Sequence, residues 1–286
     1  MIILLITFIL VLILIYLKQK FKFQNHKNKC TIEKLTEHKN QNKYQTKDKI
    51  NHKINIHFCS QHQACTIFKI NHQLYFSKMK PIEMISRNCH FNYINQKDKI
   101  EKLTQFYCQQ CLSFTELEQQ NLFSIIHYLD QLLVNPCLNL NIKTPFHQWN
   151  FIKVSQQLEG GLPHTIDKYI VISDAFLTDL NQFIQEKDYY HLIKDFGSTL
   201  LHEYIHILQR QQPDIFDILY LQYWHFGYVS KNYIDPYVGN HQRLNPDGLN
   251  KNWYFKINSD HHLYPYVKLK STSLEKITKY GLLVSN

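Results

Sequence analysis

The chain has 286 residues and a formal net charge of +9, and one stretch accounts for nearly all of that charge. Residues 18–53 hold eleven lysines and three acidic residues, a balance of +8, so the high isoelectric point is weak support for nucleic-acid binding by the rest of the chain. Only seven glycines occur, and none forms a glycine-rich phosphate loop, which argues against nucleotide-binding folds.

The first 17 residues contain no charged side chain, and as a helix they would span about 25 Å, the short end for crossing a bilayer. A cleaved signal peptide would need a basic start and a small-residue cleavage site, and neither precedes Lys18. We therefore expect a single-pass transmembrane anchor at residues 1–17. Because the lysines follow it, the positive-inside rule predicts that the body of the protein is cytoplasmic. The same lysines could also contact anionic lipid headgroups.

Residues 18–55 are rich in Asn, Gln and Lys, a composition typical of a solvated basic linker. The following residues, 56–110, are expected to form a small β-rich N-terminal subdomain, because the runs 65–71 and 72–77 suggest a hairpin. Residues 111–286 are then long enough for a catalytic domain.

Seven cysteines all precede residue 138, and an odd number in a body predicted to face the cytosol favours free thiols. Cys108 and Cys111 have zinc-ligand spacing, and Cys59 with Cys65 could complete a four-thiolate site. The full set is Cys30, Cys59, Cys65, Cys89, Cys108, Cys111 and Cys137.

The middle of the chain alternates between helical and strand patterns. Residues 115–133 predict an amphipathic helix, while residues 149–154 and the fully apolar run 169–173 predict strands. Between those strands, Gly160 and Gly161 could let the backbone approach a substrate strand, with His164 nearby as a further substrate contact. A plain connecting loop is the alternative interpretation.

The most informative motif is His202-Glu203-Tyr204-Ile205-His206. Positions four apart lie on the same face of a helix, so both imidazoles can reach one metal ion with Glu203 beside them. A catalytic zinc keeps three protein ligands and an open position for water, whose proton a neighbouring carboxylate can take. The surrounding residues, 189–212, contain no proline and have an apolar helical face, and Pro213 marks the expected end of the helix.

Residues 198–209, Ser-Thr-Leu-Leu-His-Glu-Tyr-Ile-His-Ile-Leu-Gln, resemble the active-site helix of zincin-type metallopeptidases. The order of a helix, strands and then the motif helix over residues 110–260 is also similar to that family's. The resemblance implies an α+β zincin-like fold, zinc as the cofactor, His202 and His206 as metal ligands, and Glu203 as the general base.

The third ligand departs from the best-known pattern of the family, because gluzincins use a glutamate about twenty residues after the motif and only Glu275 remains here. Asp247, in a tight Asn-Pro-Asp-Gly turn, is the first candidate, although such a turn needs no metal to explain it. His225, on a predicted aromatic helix over residues 214–226, is the second. The remaining candidates are Asp214, Asp217, Asp235, Asp260, His241, His261 and His262.

Stabilisation of an oxyanion would need a nearby donor, and the sequence does not choose among Tyr223, Tyr237, His241 and Tyr254.

The function expected from the whole sequence is that of a membrane-anchored zinc metallopeptidase acting on peptide bonds. Two alternatives stay open: an inactive membrane-tethered scaffold with the same fold, and a lipid- or nucleic-acid-binding protein that acts through its basic segment. The substrate, the cleavage mode and the oligomeric state are not determined by the sequence.

Overall fold

The computed structural model describes residues 54–133, 148–188, 191–228, 244–247, 253–256, 261–269 and 277–285. All of them belong to one unit, Ile54–Asn286. The helices are α1 Gln61–Asn71, α2 Gln73–Lys78, α3 Pro81–Ser86, α4 Gln96–Gln109, α5 Glu116–Leu133, α6 Asp174–Gln185, α7 Ser198–Gln211 and α8 Pro213–Ile218. The strands are β1 Asn55–Phe58, β2 Cys111–Leu112, β3 Gln148–Val154, β4 His164–Ile166, β5 Tyr169–Ser173, β6 Phe226–Tyr228, β7 Trp253–Lys256, β8 His261–Leu269 and β9 Ile277–Ser285.

The first sheet is mixed and has the strand order β1-β3-β5-β4. Strands β1, β3 and β5 run parallel, β4 pairs antiparallel with β5 at the edge, and the short β2 pairs antiparallel with the end of β3. A second sheet has the order β6-β7-β8-β9, and all its neighbours are antiparallel.

Helices cover both faces of the first sheet, which explains why β3 is buried at six successive positions. Alternate side chains of β3 enter different cores. Ile152 and Val154 pack with residues of α1, α2 and α4, whereas Trp149 and Phe151 pack with residues of α5, α6 and α7. The sheet is therefore the middle layer, and α7, which contains the His-Glu motif, lies on one of its faces.

The predicted helix over residues 115–133 and the predicted strands over residues 149–154 and 169–173 are confirmed, within one residue at each end. The predicted hairpin is wrong, because residues 65–71 lie in α1 and residues 73–77 lie in α2. Ser60 and Gln63 form a capping box at the start of α1, which satisfies two backbone donors and favours a helix over a strand. The stretch predicted to be β-rich is therefore mainly helical, and β1 starts within the predicted linker.

The prediction of free thiols is wrong for Cys65 and Cys108, which form a disulfide between α1 and α4 across a Cα–Cα distance of 4.5 Å. A four-thiolate zinc site that uses both is therefore also wrong. The thiols of Cys59, Cys89 and Cys111 are free and buried. Cys30 and Cys137 lie outside the described residues.

Within the described ranges, no helix has the length and apolar character needed to cross a membrane. The predicted anchor at residues 1–17 and nearly all of the predicted linker lie outside those ranges.

Candidate metal and catalytic site

One face of helix α7 is buried against the sheet, and this fixes the orientation of the His-Glu motif. Leu200, Tyr204, Ile207 and Leu208 lie in the core beneath the sheet, and the Tyr204 ring packs on Trp149 at a centroid distance of 4.4 Å. A π-helical segment, Leu192–Gly197, leads directly into the helix. Because one face is fixed in this way, the opposite face presents the two histidines of the motif together.

The imidazoles of His202 and His206 point at each other, with their Nε2 atoms 3.1 Å apart and their ring planes at 89°. Two imidazole nitrogens bound tetrahedrally to one zinc ion would be roughly 3.3 Å apart, given zinc–nitrogen bonds of about 2.0 to 2.1 Å. The separation in the structure therefore suits two ligands of a single ion.

The tautomer of His206 is set by its neighbour Gln209. His206 Nδ1 lies 2.8 Å from Gln209 Oε1, and an amide oxygen only accepts, so Nδ1 is the nitrogen that carries the proton in the neutral ring, which leaves the lone pair on Nε2. The amide of Gln209 donates in turn to the hydroxyl of Tyr220. Such outer partners orient metal-binding histidines in known sites.

The imidazole of His202 favours its neutral form. Burial, followed by the neighbouring His206, lowers the pKa of His202 to about 4, although Asp247 opposes that shift. In the metal-free chain, His202 Nε2–H can donate to His206 Nε2. A cation held by both nitrogens would replace that proton.

Glu203 follows His202 in α7 and is 4% exposed, and its Oε2 has no hydrogen-bond partner among the described residues. Burial, and then the negative charge of Asp247, raise the pKa of Glu203 well above its ordinary value, against the opposing effect of Arg210. A buried carboxyl group that prefers to keep its proton is suited to general acid–base work.

Asp247 reaches this region from a distant part of the chain. Its Oδ1 accepts hydrogen bonds from the Thr165 amide at 2.6 Å and the Thr165 hydroxyl at 2.5 Å. Its own amide donates to Asn245 Oδ1 at 3.2 Å, as expected for the turn that was the alternative interpretation of this motif. Both carboxylate bonds end on Oδ1, and within the described ranges Oδ2 has no hydrogen bond.

The residues present fit two of the three ligands that a catalytic zinc needs. Nowhere in the described part of the chain do three His, Cys, Asp or Glu side chains come together as a metal-holding group. His202 and His206 have the right separation, and Asp247 is close enough to influence the pKa values of His202 and Glu203. Its role as third ligand stays a prediction.

The second candidate for that position, His225, is exposed and has a φ of 54°, in the left-handed region. The predicted aromatic helix does not reach it, since α8 ends at Ile218 and a π-helical turn continues only to Tyr223. Of the predicted oxyanion donors, Tyr223 is exposed and Tyr254 is partly buried, while Tyr237 and His241 lie outside the described residues.

The loop that contains Gly160 and Gly161, which was predicted to contact substrate, makes hydrogen bonds within the protein. Gly160 and Gly161 both have positive φ, and Gly161 O accepts from the Ser173 hydroxyl at 3.0 Å. His164 is buried in β4, where its Nδ1 lies 3.1 Å from Leu162 O. A substrate strand that pairs with the edge of β4 would use the Thr165 amide as a hydrogen-bond donor. In the structure that amide donates to Asp247 Oδ1. Substrate contact by Gly160, Gly161 and His164 therefore stays a prediction.

Sequence reasoning missed a buried polar network centred on Glu159, next to those glycines. Glu159 Oε1 accepts from the hydroxyls of Tyr75 and Tyr107 at 2.6 and 2.5 Å, and Arg87 Nε lies 2.9 and 2.8 Å from the two carboxylate oxygens. Arg87 NH1 also donates to the backbone oxygen of Glu83 at 3.1 Å. One usable signal was that only three of the chain's 32 basic residues are arginine.

No family model matches the chain, and neither a curated protein nor a solved structure is significantly similar to it.

Proposed function

We propose that this protein is a membrane-attached zinc-dependent peptidase, with His202, His206 and Asp247 as zinc ligands and Glu203 as the general base. The observation that supports the proposal is the pair of imidazole Nε2 atoms 3.1 Å apart, on a helix that also carries the buried Glu203, whose Oε2 has no hydrogen-bond partner among the described residues. Zinc bound there would supply Lewis-acid activation of water and of the substrate carbonyl.

The residues of the chain would perform the remaining work. Gln209 holds His206 in the tautomer that offers Nε2, and the packed face of α7 fixes the direction of both rings. Glu203 would accept a proton from the attacking water at its free Oε2 and later donate it to the leaving amine. A raised pKa suits the second step, while a nearby cation would favour the ionised carboxylate required for the first.

A scaffold without turnover is the second candidate, and one observation favours it. Asp247 Oδ1 already takes two hydrogen bonds from Thr165, so the aspartate has a structural role that needs no metal. The two candidates differ in zinc content and in the effect of replacing Glu203.

The test uses the full-length chain, purified in detergent, with zinc measured by mass spectrometry and hydrolysis measured on a quenched-fluorescence peptide library. We expect about one zinc per chain and its loss in the His202→Ala and His206→Ala variants. His62→Ala, at an exposed position on α1, is the matched histidine control and should retain zinc. Zinc retained by the double His202→Ala, His206→Ala variant would contradict the site.

Glu203→Gln separates the enzyme from the scaffold. The amide keeps the shape of the side chain but cannot move a proton, so zinc should remain while hydrolysis falls by about a hundredfold or more. Hydrolysis within a few-fold of the parent would exclude Glu203 as the base. Zinc binding without any hydrolysis in the parent would favour the scaffold.

Membrane attachment through residues 1–17 and contact of the lysine-rich residues 18–53 with anionic headgroups are part of the proposal. Two features disagree on the compartment. The lysine flank favours a cytoplasmic body, whereas the Cys65–Cys108 disulfide favours an oxidising compartment. Protease protection of sealed membranes that contain the intact protein decides between them.

A further inference from the structure

The short segment 244–247 is held at its first residue by a buried ion pair. The Leu244 amide donates to Glu83 Oε1 at 2.6 Å, and Arg87 NH2 donates to the Leu244 carbonyl at 3.2 Å. Both backbone groups of one residue are thus bound by two charged side chains that are 0% exposed. The position of Leu244 is therefore set by the interior of the protein, on the side of the sheet that α1, α2 and α4 cover.

The last residue of the segment is held next to the candidate site. Thr165 donates twice to Asp247 Oδ1, and Arg210 NH1 lies 3.4 Å from the Asp247 carbonyl. Arg210 belongs to α7, one turn after His206, and it also donates to the Asp167 carbonyl at 2.8 Å. The segment therefore connects the buried ion pair with the helix that holds both histidines.

The choice of arginine supports a positional role. Lysine is far commoner in this chain, yet both arginines in the described ranges, Arg87 and Arg210, donate to carbonyls of this one segment. A guanidinium group offers several donors in a fixed plane and can hold a carboxylate and a carbonyl at once, which an ammonium group does less well.

Burying these charged side chains contributes little net free energy to folding. Glu83, Arg87 and Glu159 are at most 1% exposed, and removing charges from water costs about as much as their attraction returns. What such a cluster can provide is a single defined position for whatever it binds. Besides the hydroxyls of Tyr75 and Tyr107, this cluster binds the backbone of Leu244, three residues before Asp247.

We propose that Glu83 and Arg87 are positioning residues, which fix segment 244–247 so that the Asp247 carboxylate is presented to the His202–His206 pair. The part of this inference that concerns zinc rests on the proposed function. The positioning itself concerns the metal-free protein and can be tested without a metal.

The first experiment measures amide hydrogen exchange in the metal-free full-length chain, at single-residue resolution. Glu83→Ala removes the acceptor for the Leu244 amide, so Asp247 should leave Thr165 more often. Exchange of the Thr165 amide, relative to that of Ile170 in the central strand β5, should rise about tenfold.

Glu118→Ala is the matched control. Glu118 forms the other well-buried ion pair of the described residues, at 2.8 Å from Lys153, and it makes no bond to segment 244–247. This variant should lose stability without the selective rise at Thr165. Glu83→Gln retains an acceptor oxygen in the same place and should stay close to the parent.

A second variant covers the case in which Glu83→Ala does not fold. Arg87→Lys keeps the positive charge beside Glu159 but loses the planar fork that reaches the Leu244 carbonyl. It should also raise Thr165 exchange selectively. Equal Thr165 exchange in the parent and in every folded variant, or an equal rise in Glu118→Ala, would overturn the proposal.

The second experiment measures the zinc dissociation constant of the same proteins. Glu83→Ala should weaken zinc binding about tenfold, as outer partners of metal ligands do, with the Glu118→Ala value unchanged. If the parent binds no zinc, the proposed function fails, and the exchange experiment alone decides on the positioning role. If zinc binds and Glu83→Ala leaves its affinity unchanged, the link between this ion pair and the site is wrong.

Discussion

Glu159 and Glu203 are both buried glutamates, 1% and 4% exposed, and their surroundings shift their pKa values in opposite directions. Burial raises the pKa of Glu159, but the charge of Arg87 and His164 and hydrogen bonds from Arg87 and Tyr107 outweigh it and bring the value to about 2. Burial and the charge of Asp247 raise the pKa of Glu203 well above the ordinary value and outweigh the opposing charge of Arg210.

The difference separates a structural carboxylate from one that is available for chemistry. Both oxygens of Glu159 are hydrogen-bonded, whereas Glu203 Oε2 has no partner within the described residues. An unpaired buried polar group costs stability, and this cost applies to Glu203 Oε2 as it does to Glu83 Oε2 among the described residues. The same residue type is therefore fully hydrogen-bonded at position 159 and leaves one oxygen without a described partner at position 203.

The same substitution at both positions should have very different effects on stability. Glu159→Gln removes the charge that compensates the buried Arg87 and replaces two charge-assisted phenol hydrogen bonds by weaker bonds to a neutral amide oxygen, so it should lower the free energy of unfolding by about 3 to 5 kcal/mol. Urea denaturation of the full-length chain in detergent measures this loss. Glu101→Gln, at an exposed surface pair, is the control and should change stability by less than about 0.5 kcal/mol.

The two glutamates should also have opposite effects on stability as pH changes. Because the folded pKa of Glu159 lies below its ordinary 4.5, its contribution is present above pH 4.5 and is lost as pH falls toward about 2. Since the folded pKa of Glu203 is raised, its contribution is present at low pH and is lost as pH rises through the folded value. Denaturation midpoints at a series of pH values should show the acid loss in the parent and a weaker one in Glu159→Gln.

Glu203→Gln should leave stability nearly unchanged. The folded state already favours the protonated side chain, which an amide resembles in shape, so the free energy of unfolding should stay within about 1 kcal/mol of the parent. Urea denaturation beside Glu159→Gln tests this directly. A loss as large as that of Glu159→Gln would mean that Glu203 is also a structural carboxylate, and the distinction would fail.

The smallest expected effect concerns the cysteines around the Glu159 network. Cys65 and Cys108 should resist maleimide labelling in the unfolded, unreduced chain and react only after reduction, whereas Cys59, Cys89 and Cys111 should react once unfolding exposes them. Burial raises the pKa of the Cys111 thiol to about 12, so it should stay unreactive in the folded protein. Peptide mapping by mass spectrometry identifies the labelled positions, and labelling of Cys65 before reduction would contradict the disulfide.

Local patterns in the sequence were sufficient for several elements of the fold. Residues 116–133 form a helix with apolar positions at helical spacing, and the apolar run 169–173 forms a strand buried on both faces. The predicted hairpin is wrong because the Ser60–Gln63 capping box starts a helix, α1, in the run that was predicted to be a strand. The separation of His202 and His206 followed from helix geometry alone, and the structure confirms that they face each other.

Contacts between distant parts of the chain could not be predicted. The pairs Arg87–Glu159 and Glu83–Leu244 join residues 72 and 161 positions apart, and no periodicity in the sequence encodes them. The Cys65–Cys108 bond was missed for the same reason, since it depends on how α1 and α4 pack. The sequence does contain one signal for these contacts, because arginine is rare in this chain. An arginine therefore indicates a position where a planar cation with several donors is used.

The Cys65–Cys108 bond also has a consequence for the order of assembly. It closes a covalent ring across 43 residues, and this ring contains Tyr75, Glu83, Arg87 and Tyr107. Cross-linking removes chain entropy from the unfolded state, so the groups that surround Glu159 are kept near one another before the rest of the chain folds. Leu244 must then close a far longer loop to reach Glu83, a slow kind of contact that is made late. We therefore expect Asp247 to be the last part of the candidate site to arrive, so that a nascent or truncated chain would have both histidines in place before their acidic neighbour.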